Sequence, residues 1–201
     1  MTMGVDNPDD LIRFWFGERD TPPLGNSERW WEKSDGFDHL VRERFEGTLE
    51  RGARGELPTW GDSPHGRLAL VLLFDQLPRN MFRGTPRSFE YDERARAAAT
   101  RAIQHGDMDV LTPLETSFLL MPFMHAENTE LQKRSCMDFA ALCEKETDPD
   151  LHAYLANCLK FARMHASIIQ RFGHFPHRNT ILGRPTTQAE ATFLKQPGSS
   201  F

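Results

Sequence analysis

Three strings of the sequence concentrate polar and charged side chains in apolar surroundings, so functional side chains are expected there before other parts of the chain. They are residues 72–84 (LLFDQLPRNMFRG), 118–127 (FLLMPFMHAE) and 171–184 (RFGHFPHRNTILGR). Arginine presents paired planar donors to phosphate and carboxylate groups, and histidine adds a donor that titrates near neutral pH. These residue types predict a binding site for a small anion.

The first and third strings supply the predicted ligand-binding residues. Two arrangements of the first string are open. Either Arg79 and Arg83 face one cleft, or Asp75 pairs with Arg79 as its i,i+4 neighbour while Asn80 caps the loop. Pro78 favours a helix end before Arg79, because its ring disfavours the preceding turn. The third string is either a binding loop or a structural loop. The full set is Asp75, Arg79, Asn80, Arg83, His174, His177, Arg178, Asn179 and Arg184.

The candidate catalytic residues are His125, Glu127 and His165. His125 and Glu127 are two positions apart, so they converge only if Pro122 ends their helix. His165 lies in the apolar stripe of its own helix, where a core histidine is the alternative. The sequence has no HExxH motif and no close ligand pair, so it predicts no metal and no cofactor. Whether the chain is an enzyme stays open.

Charge is distributed unevenly along the chain. Residues 151–189 contain no Asp or Glu, although the whole chain has 29 acidic side chains against 24 basic ones. The stretch favours an anion site, and the alternative is that its cations pair with acids elsewhere in the fold. Its cations are Lys160, Arg163, Arg171, Arg178 and Arg184, with His152, His165, His174 and His177 beside them.

Composition excludes several classes of protein. A formal charge of -5 gives no support to a nucleic-acid partner or an anionic membrane. No apolar run approaches the ~18 residues of a membrane span, and the first residues lack the regions of a signal peptide. Three cysteines without CxxC spacing fit a reducing compartment. We therefore expect a cytoplasmic protein, and the sequence leaves its oligomeric state undetermined.

Helix signals dominate the chain. Capping residues stand before prolines at Asn7, Ser63, Thr112 and Asp148, and Thr187 with Glu190 forms a capping box. The pattern predicts an all-α fold of eight or nine helices packed as antiparallel pairs. The predicted helices are 8–16, 26–33, 36–53, 64–76, 88–105, 113–121, 127–146, 149–172 and 187–194. Residues 1–194 are expected to form one domain, followed by a flexible tail over 195–201.

The strings DQLPRNMFRG (75–84) and GHFPHRNTILGR (173–184) resemble the bacterial DUF924 family, a domain of unknown function. The resemblance also includes Trp15-Phe16-Gly17 and extends over residues 8–194. It implies an all-helical fold similar to tetratricopeptide-repeat proteins, and it implies no activity. The family often has Arg where this chain has His174, so a permanent charge is not required at that position.

The leading functional hypothesis is a helical protein that binds a small anionic ligand, phosphate or carboxylate, with these Arg and His side chains. The alternative is a tetratricopeptide-repeat-like scaffold that binds a peptide or protein partner, with the same motifs serving structure.

Overall fold

The computed structural model describes residues 5–18, 22–31 and 33–200, and every regular element in these ranges is helical. The all-α prediction is therefore confirmed. Ten α-helices occur in the described ranges. They are α1 (Pro8–Phe16), α2 (Ser27–Trp31), α3 (Asp35–Ala53), α4 (Pro64–Met81), α5 (Asp92–Gln104), α6 (Pro113–Met124), α7 (Thr129–Lys145), α8 (Pro149–Phe172), α9 (Asn179–Leu182) and α10 (Gln188–Phe193). Four 3-10 turns lie at Pro58–Asp62, Pro86–Phe89, Asp107–Asp109 and Pro176–Arg178.

The predicted helix starts are built as the capping residues indicate. The side chain of Asn7 accepts a hydrogen bond from the Asp9 amide, and Ser63 accepts one from Gly66. Asp148 accepts two amides at the start of α8. Each cap satisfies amides that have no partner inside the helix, with proline at the position where its missing N–H is not needed. These local contacts fix where α1, α4 and α8 begin.

Two helices run through a proline that was expected to end them. The predicted helix 64–76 continues as α4 to Met81 with Pro78 inside it, and the predicted helix 113–121 continues as α6 to Met124 with Pro122 inside it. Leu77, Pro78 and Met81 are all buried. Burial of the last turn therefore outweighs the hydrogen bond that proline removes.

The chain forms two compact units, of which the first comprises Met1–Arg83 with Arg87–Pro122 and the second comprises Gly84–Pro86 with Phe123–Phe201. In the first unit α4 is central and packs against α1, α3 and α5. In the second unit α7 and α8 pack against each other along their lengths. The boundaries of the predicted domain and tail stay predictions. In the described residues, no helix is long and apolar enough to cross a membrane.

Gly66 is required by a close approach in the first turn of α4. A Cβ atom built there would lie 2.3 Å from the main-chain oxygen of Trp60, whereas one on Gly36 in α3 would meet only Ser34 Oγ, at 3.9 Å. We predict that Gly66→Ala lowers the free energy of unfolding by about 2 kcal/mol or more, because the backbone must shift.

The matched control is Gly36→Ala, which should leave stability unchanged or raise it by up to about 1 kcal/mol through helix propensity. Urea denaturation followed by circular dichroism measures both variants. Equal stability of the two variants would contradict the close approach at Gly66.

Candidate functional site

The cation of the first string, Arg79, lies in an ion-pair network of the first unit. Its Nη1 donates to the main-chain oxygen of Asp75 at 2.6 Å and lies 3.3 Å from the Asp75 carboxylate. Its Nη2 lies 2.9 Å from Asp92 Oδ1. Burial acts to lower the pKa of Arg79, but the two carboxylates outweigh it and raise the pKa above its usual value. Arg79 is therefore charged and matched by acids.

Arg83 and Asn80 share one carboxylate, that of Asp38 in α3. Arg83 donates from Nε at 2.7 Å and from Nη2 at 2.8 Å, and Asn80 Nδ2 donates at 2.9 Å. Burial raises the pKa of Asp38, but the Arg83 and Asn80 hydrogen bonds more than reverse this and lower it. Asp38 lies 45 positions from Arg83, so no local pattern in the sequence could have identified this partner.

In the second unit, Glu127 joins the loop after α6 to the loop after α8. Its carboxylate accepts two hydrogen bonds from the Arg184 guanidinium, at 2.7 and 3.0 Å, and one from the Phe175 amide at 2.9 Å. Arg184 Nη2 also donates to the Phe175 carbonyl at 3.1 Å. We call these three residues the Glu127 clamp. Burial raises the pKa of Glu127, but Arg184 and the Phe175 amide outweigh it, so the pKa lies below its usual value.

Two other predicted residues of the third string have structural contacts in this unit. His174 Nε2 lies 2.6 Å from Glu190 Oε1, in the capping box that begins α10. Asn179 is fully buried, and its main-chain oxygen accepts the Arg184 amide at 2.8 Å. Both residues support the fold of the loop that carries Arg178 and Arg184.

Three of the predicted residues lie against the buried Phe175 ring and a fourth, His125, lies beside His165. We call them the imidazole–guanidinium cluster: His125, His165, His177 and Arg178. The His165 and His177 ring centroids lie 5.3 and 5.6 Å from the Phe175 centroid, and the His125 ring lies 6.1 Å from that of His165. The Arg178 guanidinium carbon lies 4.6 Å from the Phe175 centroid. The sequence strings 118–127 and 171–184 thus meet within one unit, together with His165 of α8.

Two imidazoles of this cluster, those of His165 and His177, are held in their neutral form. Burial is the main cause that lowers the pKa of His165 to about 3, with electrostatic contributions from His125 and Arg178 in the same direction. The pKa of His177 falls to about 4, again first through burial and then through Arg178. Removal from water and nearby positive charge both disfavour the imidazolium.

One tautomer in the cluster follows from its hydrogen bond. His165 Nδ1 lies 2.8 Å from the main-chain oxygen of Phe161, one turn earlier in α8. Because a carbonyl oxygen only accepts, Nδ1 carries the proton and Nε2 carries the lone pair. His165 therefore presents an acceptor to its surroundings, whereas Arg178 presents only donors and gives one to the His125 carbonyl at 3.2 Å.

Metal binding gains no support from this geometry. Both carboxylate oxygens of Glu127 accept from Arg184. Within the described ranges, no group of three His, Cys, Asp or Glu residues is placed to hold a metal ion.

The chain belongs to the family described as bacterial protein of unknown function (DUF924), whose model matches residues 11–198. It is similar to a solved structure, that of a protein of unknown function from Agrobacterium tumefaciens. The two are 35% identical, with a TM-score of 0.78 over 94% of this chain and 96% of that one. No curated protein matches the chain. The resemblance seen in the sequence is thereby confirmed.

The Glu127 clamp generates a stability prediction. Glu127→Gln should lower the free energy of unfolding at neutral pH by about 2 kcal/mol, because the Arg184 guanidinium loses its charged acceptor. Since the pKa of Glu127 is lowered in the folded state, its contribution is present above the ordinary carboxyl pKa and is lost as the pH falls through the lowered value. The difference between Glu127→Gln and the wild type should therefore shrink in acid.

The matched control is Glu130→Gln, since Glu130 pairs with Lys133 at 2.8 Å where both side chains are mostly exposed. It should change stability by no more than about 0.5 kcal/mol. Urea denaturation at several pH values measures both variants. A loss at Glu127 no larger than the loss at Glu130 would be inconsistent with the clamp.

Proposed function

We propose that the imidazole–guanidinium cluster binds a small oxyanion, phosphate or carboxylate. The observation that carries the proposal is the gathering of two imidazoles and a buried guanidinium around one phenyl ring, with a third imidazole beside His165. Arginine and histidine are the side chains that bind such anions through directed hydrogen bonds.

The local electrostatics support this proposal. The groups that shift the pKa of His177 are Arg178, Glu127, Arg184 and His125. They comprise two guanidiniums, one carboxylate and one imidazole, and the carboxylate is already bound by Arg184. Burial would strengthen the attraction of these guanidiniums for a small anion.

Proton uptake should accompany anion binding. The folded surroundings hold the pKa of His177 at about 4, and a bound anion would raise it. A group whose pKa is higher in the complex takes up a proton on binding, so affinity should rise as the pH falls. His165 and His177 are also the residues placed for acid–base chemistry, should the bound anion undergo a reaction.

Of the first string's residues, Arg79, Asn80 and Arg83 contact carboxylates of their own unit. We assign them to structure in this proposal and place ligand binding at the third string. Three free cysteines in the described residues are compatible with the cytoplasmic location that the proposal adopts.

A peptide-binding scaffold is the second candidate, because consecutive helices pack as pairs: α3 with α4, α4 with α5, and α7 with α8. Helical scaffolds of this kind bind partners on extended surfaces. A scaffold would show no response to small anions at the cluster, so the experiment below separates the two functions.

Thermal unfolding with inorganic phosphate, and separately with acetate, tests the proposal. Phosphate at about 100 times its dissociation constant should stabilise the wild type by about 2.7 kcal/mol. Two variants should lower the apparent affinity for phosphate about tenfold and so reduce this stabilisation. They are Arg178→Lys, which keeps the charge but loses the planar donor pair, and His177→Asn.

The control is Arg163→Gln, which removes one exposed cation of α8 and should respond to phosphate like the wild type. Circular dichroism establishes that each variant is folded before the anion is added. Equal phosphate stabilisation in the wild type, Arg178→Lys and His177→Asn would contradict the proposed site.

A further inference from the structure

The surface that α7 and α8 present together has opposite charges at its two ends. At one end, α7 runs into α8 through four acids and one lysine: Glu144, Lys145, Glu146, Asp148 and Asp150. At the other end, α8 carries Lys160 and Arg163 on its exposed side. The two helices are antiparallel, since Cys143 near the end of α7 lies 3.9 Å from His152 near the start of α8. The acidic residues of both helices therefore share one end.

Lys133 and Arg134 of α7 pair with Glu130 and Asp138 on the same helix, whereas four charged side chains of this surface have no ion-pair partner within the described part of the chain. Lys160, Arg163, Glu144 and Asp150 are exposed and take part in no ion pair there. The charge of Arg163 opposes the rise that burial causes in the pKa of the Cys136 thiol of α7. Arg163 therefore lies on the side of α8 that adjoins α7. The charges thus lie along one two-helix face, which we call the polarised face.

Exposed alanines lie midway along both helices of the polarised face, and α7 also exposes Met137 there. Ala141 of α7 and Ala153 and Ala156 of α8 are exposed between the acidic and the basic end. Alanine side chains allow another helix to approach closely. Asp150 and Lys160 are separated by about 15 Å along α8, at about 1.5 Å per residue.

We propose that the polarised face binds a second copy of this chain. A two-fold rotation about the alanines sets the acidic end of each copy against the basic end of the other, so that each ion pair forms twice. The two copies of α8 run antiparallel across this interface, so their helix dipoles attract each other. The proposal is independent of the anion site.

A second copy fits this face better than a nucleic acid does. A nucleic acid lying along α8 would meet Lys160 and Arg163 and then, within about 20 Å, the carboxylates at Asp148 and Asp150. A copy of the chain carries the matching sequence of charges in reverse. The face is polar and small, so the dimer should be weak, with a dissociation constant on the order of 10–100 µM.

Sedimentation equilibrium across about 5–500 µM protein, at low and high salt, tests the proposal. The wild type should dimerise, and salt should weaken the dimer. Lys160→Glu with Arg163→Glu should weaken self-association about tenfold, and Glu144→Lys with Asp150→Lys should do the same. An equimolar mixture of these two double variants should associate again, because both halves of the mixed dimer set opposite charges against each other.

The control is Arg94→Glu with Arg101→Glu on α5, which makes the same charge change at exposed positions of the other unit. It should dimerise like the wild type, and circular dichroism checks that every variant is folded. Three results would overturn the proposal: a wild type that stays monomeric at about 500 µM, a dimer that both reversals leave intact, or association only on adding RNA or an acidic peptide.

Discussion

The interaction on which the second unit depends is the bond network between Glu127 and Arg184. Two segments nearly sixty positions apart, the loop after α6 and the loop after α8, meet through this carboxylate and guanidinium. The same carboxylate accepts a hydrogen bond from the Phe175 amide, and Arg184 donates one to the Phe175 carbonyl. Both polar groups of the Phe175 backbone are thereby satisfied, which allows its ring to be fully buried. The cluster of imidazoles is arranged on that ring.

Burial of this cluster has an electrostatic consequence. A guanidinium stays charged wherever it lies, because its pKa is too high for burial to neutralise it. Imidazoles respond instead, and the pKa values of about 3 for His165 and about 4 for His177 keep both rings neutral. The cluster therefore combines one fixed positive charge with neutral rings, of which His165 gives its proton to the Phe161 carbonyl and presents an acceptor. This combination suits an oxyanion that carries both oxygen lone pairs and an acidic proton.

Local features of the fold could be predicted from the sequence, and distant pairings could not. The caps at Asn7, Ser63 and Asp148 act within three residues, so their positions follow from residue type. Pro78 and Pro122 gave the wrong helix ends, because burial of the surrounding turn decided the outcome and burial depends on the whole unit. The partners of Arg83 and Arg184 lie 45 and 57 positions away.

The two Arg-Asn pairs show what residue types alone leave open. Arg79-Asn80 and Arg178-Asn179 carry the same side chains. In the first unit Asp38 and Asp92 meet the cations of the first string. In the second unit the Arg178 guanidinium and the rings of His165 and His177 lie against Phe175. The difference arises from neighbours that packing supplies, which residue types alone do not reveal.

Proton and nitrogen NMR of the histidine side chains, followed through a pH titration with and without phosphate, tests the central claim most directly. The account predicts that the rings of His165 and His177 stay neutral down to about pH 4, that His165 carries its proton on Nδ1, and that phosphate shifts the His177 resonances. Rings that titrate near pH 6.5 and ignore phosphate would contradict a buried, positively charged cluster built to receive an anion.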